Sequence, residues 1–136
     1  MIKFDETVVI AVDFDGTLTE RDNYPDIDRY EYNEKAIKWV LELRKLQGVA
    51  LVLWTCSGNE RVQAIRNEMM RLYGLWFDYA NEYPHRGNSR KLNADIYVDD
   101  RANNGVIDWS GIYGKAIALI QQRGGTPWTE NNLPDI

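Results

Sequence analysis

Short apolar runs alternate with amphipathic helical segments along most of this chain, and this alternation limits the fold more than any other feature of the sequence. The apolar runs are rich in β-branched residues and end at polar or turn-forming residues, as buried strands do. They predict four strands, at Val8–Phe14, Ala50–Trp54, Phe77–Ala80 and Asp95–Val98.

Helical spacing of apolar residues predicts three helices between and after these strands. Asn33 is a favourable N-cap for the first helix, which is predicted over Glu34–Gln47. The stretch Ser57–Glu60 matches a capping box, which predicts the start of a second helix that ends at Gly74. The buried stripe of this second helix is predicted to be Val62, Ile65, Met69 and Leu72. A weaker pattern predicts the last helix around Lys115–Gln122.

Strands that alternate with helices predict an α/β domain, a three-layer, Rossmann-like arrangement with a mainly parallel sheet. The length of 136 residues suits a single domain, 1–136, and is too short for two. Residues 18–32 keep neither a helical nor a strand period and are predicted to form a flap-like loop, and residues 124–136 an irregular tail. Neither residues 18–32 nor the polar loop 81–90 could fold alone, so no separate cap domain is expected.

The composition disfavours several classes of function. Acidic residues outnumber basic ones by 21 to 16, and no run of Lys or Arg forms the footprint of a general nucleic-acid-binding protein. The single cysteine, Cys56, cannot form an internal disulfide and has no partners for a zinc site. No apolar stretch is long enough to span a bilayer, and the N-terminus lacks a signal-peptide pattern. We expect a soluble protein of the reducing cytoplasm.

Polar side chains follow three of the predicted strands, at the point where each strand ends. They are Asp13 and Asp15 after the first strand, Thr55 after the second, and Asp99 and Asp100 after the fourth. In parallel α/β sheets the ligand site lies beyond the carboxyl ends of the strands, so these residues are expected to converge. Carboxylates so close together repel one another unless they are protonated or share a cation. Mg²⁺ is the leading candidate, because it takes oxygen ligands and keeps waters that a substrate phosphate can replace.

Taken alone, the first acidic pair is also compatible with a purely structural turn. An Asx-type turn without chemistry accounts for Asp-Gly-Thr about as well. An EF-hand loop requires glycine at its sixth position, whereas Gly16 is the fourth residue counted from Asp13, so a calcium loop does not fit. The chain contains no glycine-rich P-loop or dinucleotide-binding fingerprint, which leaves nucleotide-dependent classes unsupported.

The order of the motifs resembles that of the haloacid dehalogenase-like hydrolases. The resemblance rests on D-F-D-G-T at Asp13–Thr17, a strand that ends in Thr55, the single Lys91, and I-Y-V-D-D at Ile96–Asp100. It extends from Val8 to about Arg101, which is most of the chain. Most members of that family are magnesium-dependent phosphatases. The resemblance therefore implies a Mg²⁺-dependent phosphomonoester phosphatase.

The resemblance also assigns roles to the acids. It implies that Asp13 attacks phosphorus and forms an aspartyl-phosphate intermediate, which replaces one difficult displacement by two easier ones. It implies that Asp15 protonates the leaving alkoxide and then deprotonates the attacking water, for which Asp15 must carry a proton when substrate is bound. Mg²⁺ would be held by the Asp13 side chain, the backbone carbonyl of Asp15 and an acid of the last motif, either Asp99 or Asp100.

Other residues are expected to bind the phosphoryl group or the rest of the substrate. Thr55 would donate a hydrogen bond to a phosphoryl oxygen, assisted by backbone N–H groups around Cys56–Gly58 at the start of a helix. Lys91 would neutralise the nucleophile and the transferring group. The predicted substrate-binding residues are Gly16, Thr17, Cys56, Ser57, Arg86 and Arg90, the two arginines for a second anionic group. For Ser57, a role as helix cap alone is the favoured interpretation.

Two further residues receive structural interpretations, and two tyrosines receive a functional one. His85, in the polar stretch P-H-R-G-N, is interpreted as an exposed loop residue and not as a substrate contact. Cys56 is interpreted as a small buried thiol, because no local pattern activates it as a nucleophile. Tyr24 and Tyr30 in the flap-like loop could stack on a substrate, whereas most Trp and Tyr residues are expected in the core or at its rim.

An enzyme without a cap has an open site, which suits a large phosphorylated substrate, a partner subunit in an oligomer, or loose selectivity. The substrate could be a small molecule or a phosphate-bearing macromolecular end. Two other function classes remain: a receiver-like domain that stores a phosphoryl group, and a non-catalytic metal- or phosphate-binding protein. In receivers the lysine comes last among these motifs, whereas here Asp99 and Asp100 follow Lys91. Asp15 also favours hydrolysis of a phosphoryl-enzyme over its storage.

Overall fold

The computed structural model describes residues 6–20, 31–56, 58–86, 93–99, 106–129 and 133–134. Its strands are β1 (Val8–Asp13), β2 (Val49–Trp54), β3 (Tyr79–Ala80) and β4 (Ile96–Val98). Its helices are α1 (Glu34–Lys45), α2 (Asn59–Tyr73) and α3 (Trp109–Gln122), and a short 3-10 helix covers Pro84–Arg86. None of the helices in the described part of the chain is long and apolar enough to cross a membrane.

The four described strands form one sheet in the order β3-β2-β1-β4. β1 pairs with β2 along its whole length, so that Asp13 lies opposite Trp54, and with β4 up to the pair Val12 and Val98. All of the pairings are parallel, which confirms the predicted α/β class with a parallel sheet. The chain passes from β1 outward to β2 and β3 and then returns to the other side of β1. The strand order therefore reverses between β1 and β4.

Successive side chains of a strand point to opposite faces of the sheet, and the two faces are covered differently. Val8, Ile10 and Val12 of β1 belong to the core cluster that includes residues of all three helices. The other face carries a smaller cluster. Its members are Val9, Ala11, Ala50, Val52 and Tyr83, with Trp54, Tyr79 and Ala94 packed against them. Among the described residues, the cover on this second face comes from strand ends and connecting segments and not from a helix.

The first helix follows its sequence signals closely. Asn33 caps it, because its Oδ1 accepts a hydrogen bond from the Ala36 N–H at 3.1 Å. The helix ends at Lys45, slightly before the predicted Gln47, since Leu46 already has extended backbone angles. Its buried residues are Ala36, Ile37, Val40, Glu42 and Leu43.

The second helix differs from its prediction at its start and in the last residue of its buried stripe. It begins at Asn59 with Gly58 in the N-cap position and no side-chain cap, so the predicted capping box is wrong by one residue, and Ser57 itself lies outside the described residues. Gly74 ends the helix in a left-handed conformation with a φ of 66°, as predicted. Leu72 is 43% exposed instead of buried. This exposure is explained by the short β3, because a strand of only two residues provides little sheet surface for the last turn of α2.

The last helix is longer than predicted, because it begins at Trp109 and not near Lys115. Asp108 caps it, with Oδ1 accepting a hydrogen bond from the Gly111 N–H at 3.0 Å. Glycines in the first turns lower the intrinsic helix propensity and hide the pattern in the sequence. Burial of Trp109 and Tyr113 against the core supplies the stabilisation that local propensity lacks.

Two acids at the amino ends of edge strands are paired with arginines. Asp78 Oδ2, just before β3, accepts hydrogen bonds from Arg44 Nη1 at 2.6 Å and from the Leu51 N–H at 2.8 Å. Asp95, just before β4, accepts hydrogen bonds from Arg123 Nη2 at 2.8 Å and from a β1 N–H group at 2.9 Å. Each acid therefore joins an edge strand to its neighbour, which is a structural role.

The base of the flap-like loop is tied to the two nearest helices. An isolated antiparallel bridge joins Thr19 to Tyr32. The ring of Tyr32 meets the ring of Tyr73 edge to face, with centroids 5.8 Å apart. The Tyr73 hydroxyl donates a hydrogen bond to Glu34 Oε1 at 2.8 Å. The loop base is thus fixed between the start of α1 and the end of α2.

Alkaline pH is expected to weaken the fold through Tyr73. The pKa of Tyr73 is raised from 10.0 to about 12, chiefly by burial and to a smaller extent by the hydrogen bond to Glu34. Folding therefore favours the protonated phenol, whose contribution to stability is complete below pH 10 and is lost as the pH rises towards 12. We expect Tyr73→Phe to lose less stability over this interval than the native chain. Urea unfolding at several pH values measures the difference, and parallel losses in the two chains would contradict it.

Candidate functional site

The carboxyl ends of β1, β2 and β4 lie at one edge of the sheet. Because Val12 pairs with Val98, the next residues along the two strands, Asp13 and Asp99, stand at the ends of adjacent strands. Thr55 directly follows the β2 residue that pairs with Asp13. In open α/β sheets, ligands bind where the strand order reverses, which here is between β1 and β4. The topology therefore brings three predicted site residues to the edge where a ligand is expected.

The turn after β1 is held by its own hydrogen bonds. The Thr17 N–H donates to the Phe14 carbonyl at 3.2 Å. Gly16 has a φ of 80°, which glycine adopts without strain, and its N–H donates to Thr19 Oγ1 at 2.9 Å. The Thr17 hydroxyl donates to Asp13 Oδ2 at 3.1 Å, and Thr17 is almost fully buried. The position of Thr17 suits holding the Asp13 carboxylate better than direct contact with a substrate.

Asp15 forms a paired contact with an arginine of α2. Arg61 Nη1 donates to Asp15 Oδ2 at 2.9 Å, and Arg61 Nη2 donates to Asp15 Oδ1 at 2.7 Å. The Arg61 and Asp15 side chains are 9% and 13% exposed, respectively. A bidentate pair of this kind is charge-assisted and fixes the orientation of the carboxylate. Sequence reasoning missed Arg61, because the two residues lie 46 positions apart and no local pattern connects them.

Thr55 is positioned by Asn81, a second residue that sequence reasoning missed. The Thr55 N–H donates to Asn81 Oδ1 at 2.8 Å, and the Asn81 N–H donates to the Leu53 carbonyl at 2.8 Å. Asn81 has a φ of 59°, a left-handed conformation that Asn tolerates better than most residues. The available signal was an Asn directly after a short apolar strand. That signal indicates a turn, but it does not identify Thr55 as the hydrogen-bond partner of Asn81.

The contact between Asn81 and Thr55 predicts a graded loss of stability. Asn81→Ala removes the hydrogen bond and places a less tolerant residue at positive φ, for an expected cost of about 2–3 kcal/mol in the free energy of unfolding. Asn81→Gly removes the same hydrogen bond but accepts the backbone conformation, so its cost is expected to be about 1 kcal/mol smaller. Urea unfolding of the two variants measures this order. A glycine variant no more stable than the alanine variant would show that the backbone conformation carries no strain.

The remaining predicted site residues are placed differently or are not described. Cys56 is exposed, so its interpretation as a small buried thiol is wrong. It follows Thr55, where the chain has already left the sheet. Arg86 ends the short 3-10 helix. The predicted residues that lie outside the described part of the chain are Ser57, Arg90, Lys91 and Asp100, together with Tyr24 and Tyr30 of the flap-like loop.

His85 is exposed, as predicted, but it belongs to an aromatic cluster beside Asn81. Its Nε2 lies 2.8 Å from the Tyr79 hydroxyl oxygen. The rings of Tyr79, Tyr83 and His85 meet edge to face, with centroids 5.2 to 5.8 Å apart. The cluster brackets the turn that carries Asn81.

The donors at this edge of the sheet are oxygen atoms. The described residues contain no group of three or more His, Cys, Asp or Glu side chains that could hold a metal ion. The described carboxylates nearest the switch point are those of Asp13 and Asp99, while Asp100 lies outside the described residues. Mg²⁺ typically uses one or two protein carboxylates and keeps several waters. The chemistry of the donor set therefore fits Mg²⁺.

A cavity of about 470 Å³ opens beside Asp99, between β4 and the first turns of α3. Its charged lining residues are Asp95, Asp99, Asp108 and Lys115. Apolar lining comes from strand and helix residues and from the exposed Val106. The cavity runs along β4 from Asp95 at its amino end to Asp99 at its carboxyl end, and the part next to Asp99 has room for part of a ligand.

No family model and no curated protein match the chain. A solved structure does match it, that of a conserved protein coded by a locus from Bacteroides thetaiotaomicron. The two chains are 35% identical, with 93% of this chain and 96% of that chain covered and a TM-score of 0.64. Identity at this level over nearly the whole of both chains shows common descent as well as a common fold. The chain belongs to the same family as this conserved Bacteroides thetaiotaomicron protein.

Proposed function

We propose that this protein is a Mg²⁺-dependent phosphohydrolase that cleaves phosphomonoesters through an aspartyl-phosphate intermediate on Asp13. The observation that carries the proposal is the position of Asp13 and Asp99 at the ends of adjacent parallel strands, at the switch point of the sheet. The order of the motifs, which resembles that of the haloacid dehalogenase-like hydrolases, suggests the roles of the individual residues.

Mg²⁺ would be held by the Asp13 side chain, the Asp15 backbone carbonyl and either Asp99 or Asp100. These are hard oxygen donors of the kind that the ion prefers. When bound, the ion would neutralise charge on the phosphoryl oxygens. Because few protein oxygens are used, coordination positions remain for water and for the substrate phosphate.

In the first step an Asp13 carboxylate oxygen attacks phosphorus, and the bond between phosphorus and the ester oxygen breaks. Asp15 gives a proton to the leaving alkoxide, which departs as a neutral alcohol. The hydrogen bond from the Thr17 hydroxyl to Asp13 Oδ2 helps to fix the orientation of the Asp13 carboxylate. This orientation reduces the entropic cost of reaching the reactive geometry.

In the second step water attacks the phosphorus of the intermediate while Asp15 takes its proton. The bond between phosphorus and Asp13 breaks, which releases inorganic phosphate and restores the carboxylate. Thr55, held at its N–H by Asn81, would donate to a phosphoryl oxygen in both steps. Lys91 would supply the further positive charge that phosphoryl transfer requires.

The substrate is a phosphorylated molecule that an open edge of the sheet can accept, either a small molecule or the phosphate-bearing end of a macromolecule. The cavity beside Asp99 offers room for the group that carries the phosphate. Its lining is mixed, because Lys115 and three acids stand beside apolar strand and helix residues, and it suits a group that has both polar and apolar parts. The single cysteine fits an enzyme of the reducing cytoplasm.

The receiver-like alternative is disfavoured by the strand order. Receiver domains have the flavodoxin-like order 2-1-3-4-5, in which the second strand is at the edge. Here β2 lies between β3 and β1, which is the order of the first four strands in doubly wound dinucleotide-binding folds. The two orders cannot interconvert without rethreading the chain.

The test measures the release of 4-nitrophenol and of inorganic phosphate from 4-nitrophenyl phosphate, with added Mg²⁺ and again after chelation of the metal. Hydrolysis that depends on the metal supports the proposal. A panel of sugar phosphates, nucleotides and phosphorylated nucleic-acid ends then identifies the substrate class. A chain that is phosphorylated once without turnover would favour the receiver-like function, and metal binding with neither activity would favour a binding protein.

A further inference from the structure

The bidentate pair of Asp15 and Arg61 is the feature of the site that the proposed mechanism does not yet use. Its two hydrogen bonds measure 2.9 and 2.7 Å, and both side chains are largely buried. Breaking a buried ion pair leaves an uncompensated charge, which is costly. A pair in this position therefore separates readily only when a new partner replaces the old one.

The pair differs from the other two arginine–aspartate pairs in the described part of the molecule. Asp78 and Asp95 also accept backbone N–H groups from neighbouring strands and lie at the amino edge of the sheet. The Asp15 carboxylate, in contrast, lies at the carboxyl edge. Its hydrogen bonds with Arg61 join the turn after β1 to the first turn of α2. The pair therefore does not hold two strands together, and its place is at the proposed phosphate site.

The present arrangement cannot persist through the proposed reaction. A general acid must come within hydrogen-bond reach of the leaving oxygen, whereas the bidentate contact ties both Asp15 oxygens to α2. A phosphoryl dianion is the natural competitor for Arg61, because a guanidinium binds phosphate in the same forked geometry and the dianion carries more charge than a carboxylate.

We propose that Arg61 binds the phosphoryl group of the substrate and gives up Asp15 to do so. This inference rests on the proposed function and adds a phosphate-binding residue that the motifs do not assign. Arg61 stands in the first turn of α2, a few residues after Thr55, and its guanidinium already lies against the turn that follows Asp13. Substrate binding would thus release Asp15 towards the leaving group, where the freed carboxylate takes up a proton from solvent before it serves as the acid of the first step.

The experiment is calorimetric titration of inorganic phosphate into the Mg²⁺-loaded chain. Arg61→Gln is expected to weaken phosphate binding by at least about tenfold, the loss typical of hydrogen bonds to a charged group. Asp15→Asn removes the competing charge but keeps the shape of the side chain, so it is expected to bind phosphate about threefold or more tightly than the native chain. The double variant should bind as weakly as Arg61→Gln alone. Relief of charge repulsion alone would also tighten binding in the double variant, so that it would bind phosphate more tightly than Arg61→Gln.

Arg66→Gln is the matched control. Arg66 lies on the same helix, and its Nη2 donates to the Phe77 carbonyl at 2.9 Å, away from the site. Phosphate affinity is expected to stay unchanged in this variant. Unchanged affinity in Arg61→Gln, weaker binding by Asp15→Asn, or no phosphate binding by the native chain would overturn the inference.

If Arg61→Gln fails to fold, Arg61→Lys takes its place, because lysine keeps the charge but loses the forked contact, and phosphate binding is expected to weaken about threefold or more. The inference and the proposed function fail in different measurements. Hydrolysis that is absent, or that does not require Asp13, removes the phosphatase but leaves a phosphate site that depends on Arg61 intact.

Discussion

Asp13→Asn is expected to lower Mg²⁺-dependent hydrolysis of 4-nitrophenyl phosphate by at least about a thousandfold, because an amide oxygen is a far weaker nucleophile than a carboxylate. The substitution keeps the shape of the side chain and an oxygen that can accept the hydrogen bond from Thr17. The fold is therefore expected to survive, and the loss should appear in kcat. Steady-state release of nitrophenol measures it, with urea unfolding as the check on stability.

Glu68→Gln is the matched control for the lost charge. Glu68 pairs with Arg71 on the exposed surface of α2, and such exposed pairs contribute little to stability. Its removal is expected to leave hydrolysis unchanged. If Asp13→Asn retained more than a few per cent of the native activity, another group would have to be the nucleophile, and the aspartyl-phosphate mechanism would be wrong.

Local signals were sufficient for most of the fold. The first five residues of β1 and of β2 are buried and apolar, many of them β-branched. Asn33 begins its helix by side-chain capping, and Gly74 ends its helix with a left-handed backbone. The start of α3 could not be predicted in the same way. Its first turns contain glycines and are stabilised by the burial of Trp109 and Tyr113, which depends on the finished core.

In the candidate site, too, local signals predicted some residues, whereas others depend on distant partners. Acids at the ends of Val8–Asp13 and Ile96–Val98 could be placed at one edge from the rule that parallel strands end together, and the strand order makes these two strands neighbours. Arg61 and Asn81 were not predictable. Each acts through a hydrogen bond to a residue far along the chain, and neither has a local pattern that names its partner.

Asp15→Asn is expected to lower the steady-state rate by about 10²–10⁴-fold, the range typical of a lost general acid and base. The loss should depend on the leaving group. 4-Nitrophenolate departs without a proton, so the first step with that substrate needs Asp15 little, whereas an alkyl phosphate requires protonation of its alkoxide. The attack of water in the second step needs Asp15 with either substrate.

Rapid mixing of Asp15→Asn with 4-nitrophenyl phosphate should therefore give a burst of nitrophenol close to one per chain, followed by slow turnover, because the aspartyl-phosphate accumulates. With an alkyl phosphate the burst should be absent, since the first step is then slow as well. The native chain, in which Asp15 serves both steps, should show a much smaller dependence on the leaving group. Equal losses for the two substrates without a burst would mean that Asp15 acts on binding and not on proton transfer. In that case its pairing with Arg61, and not its acidity, would account for the effect of the substitution.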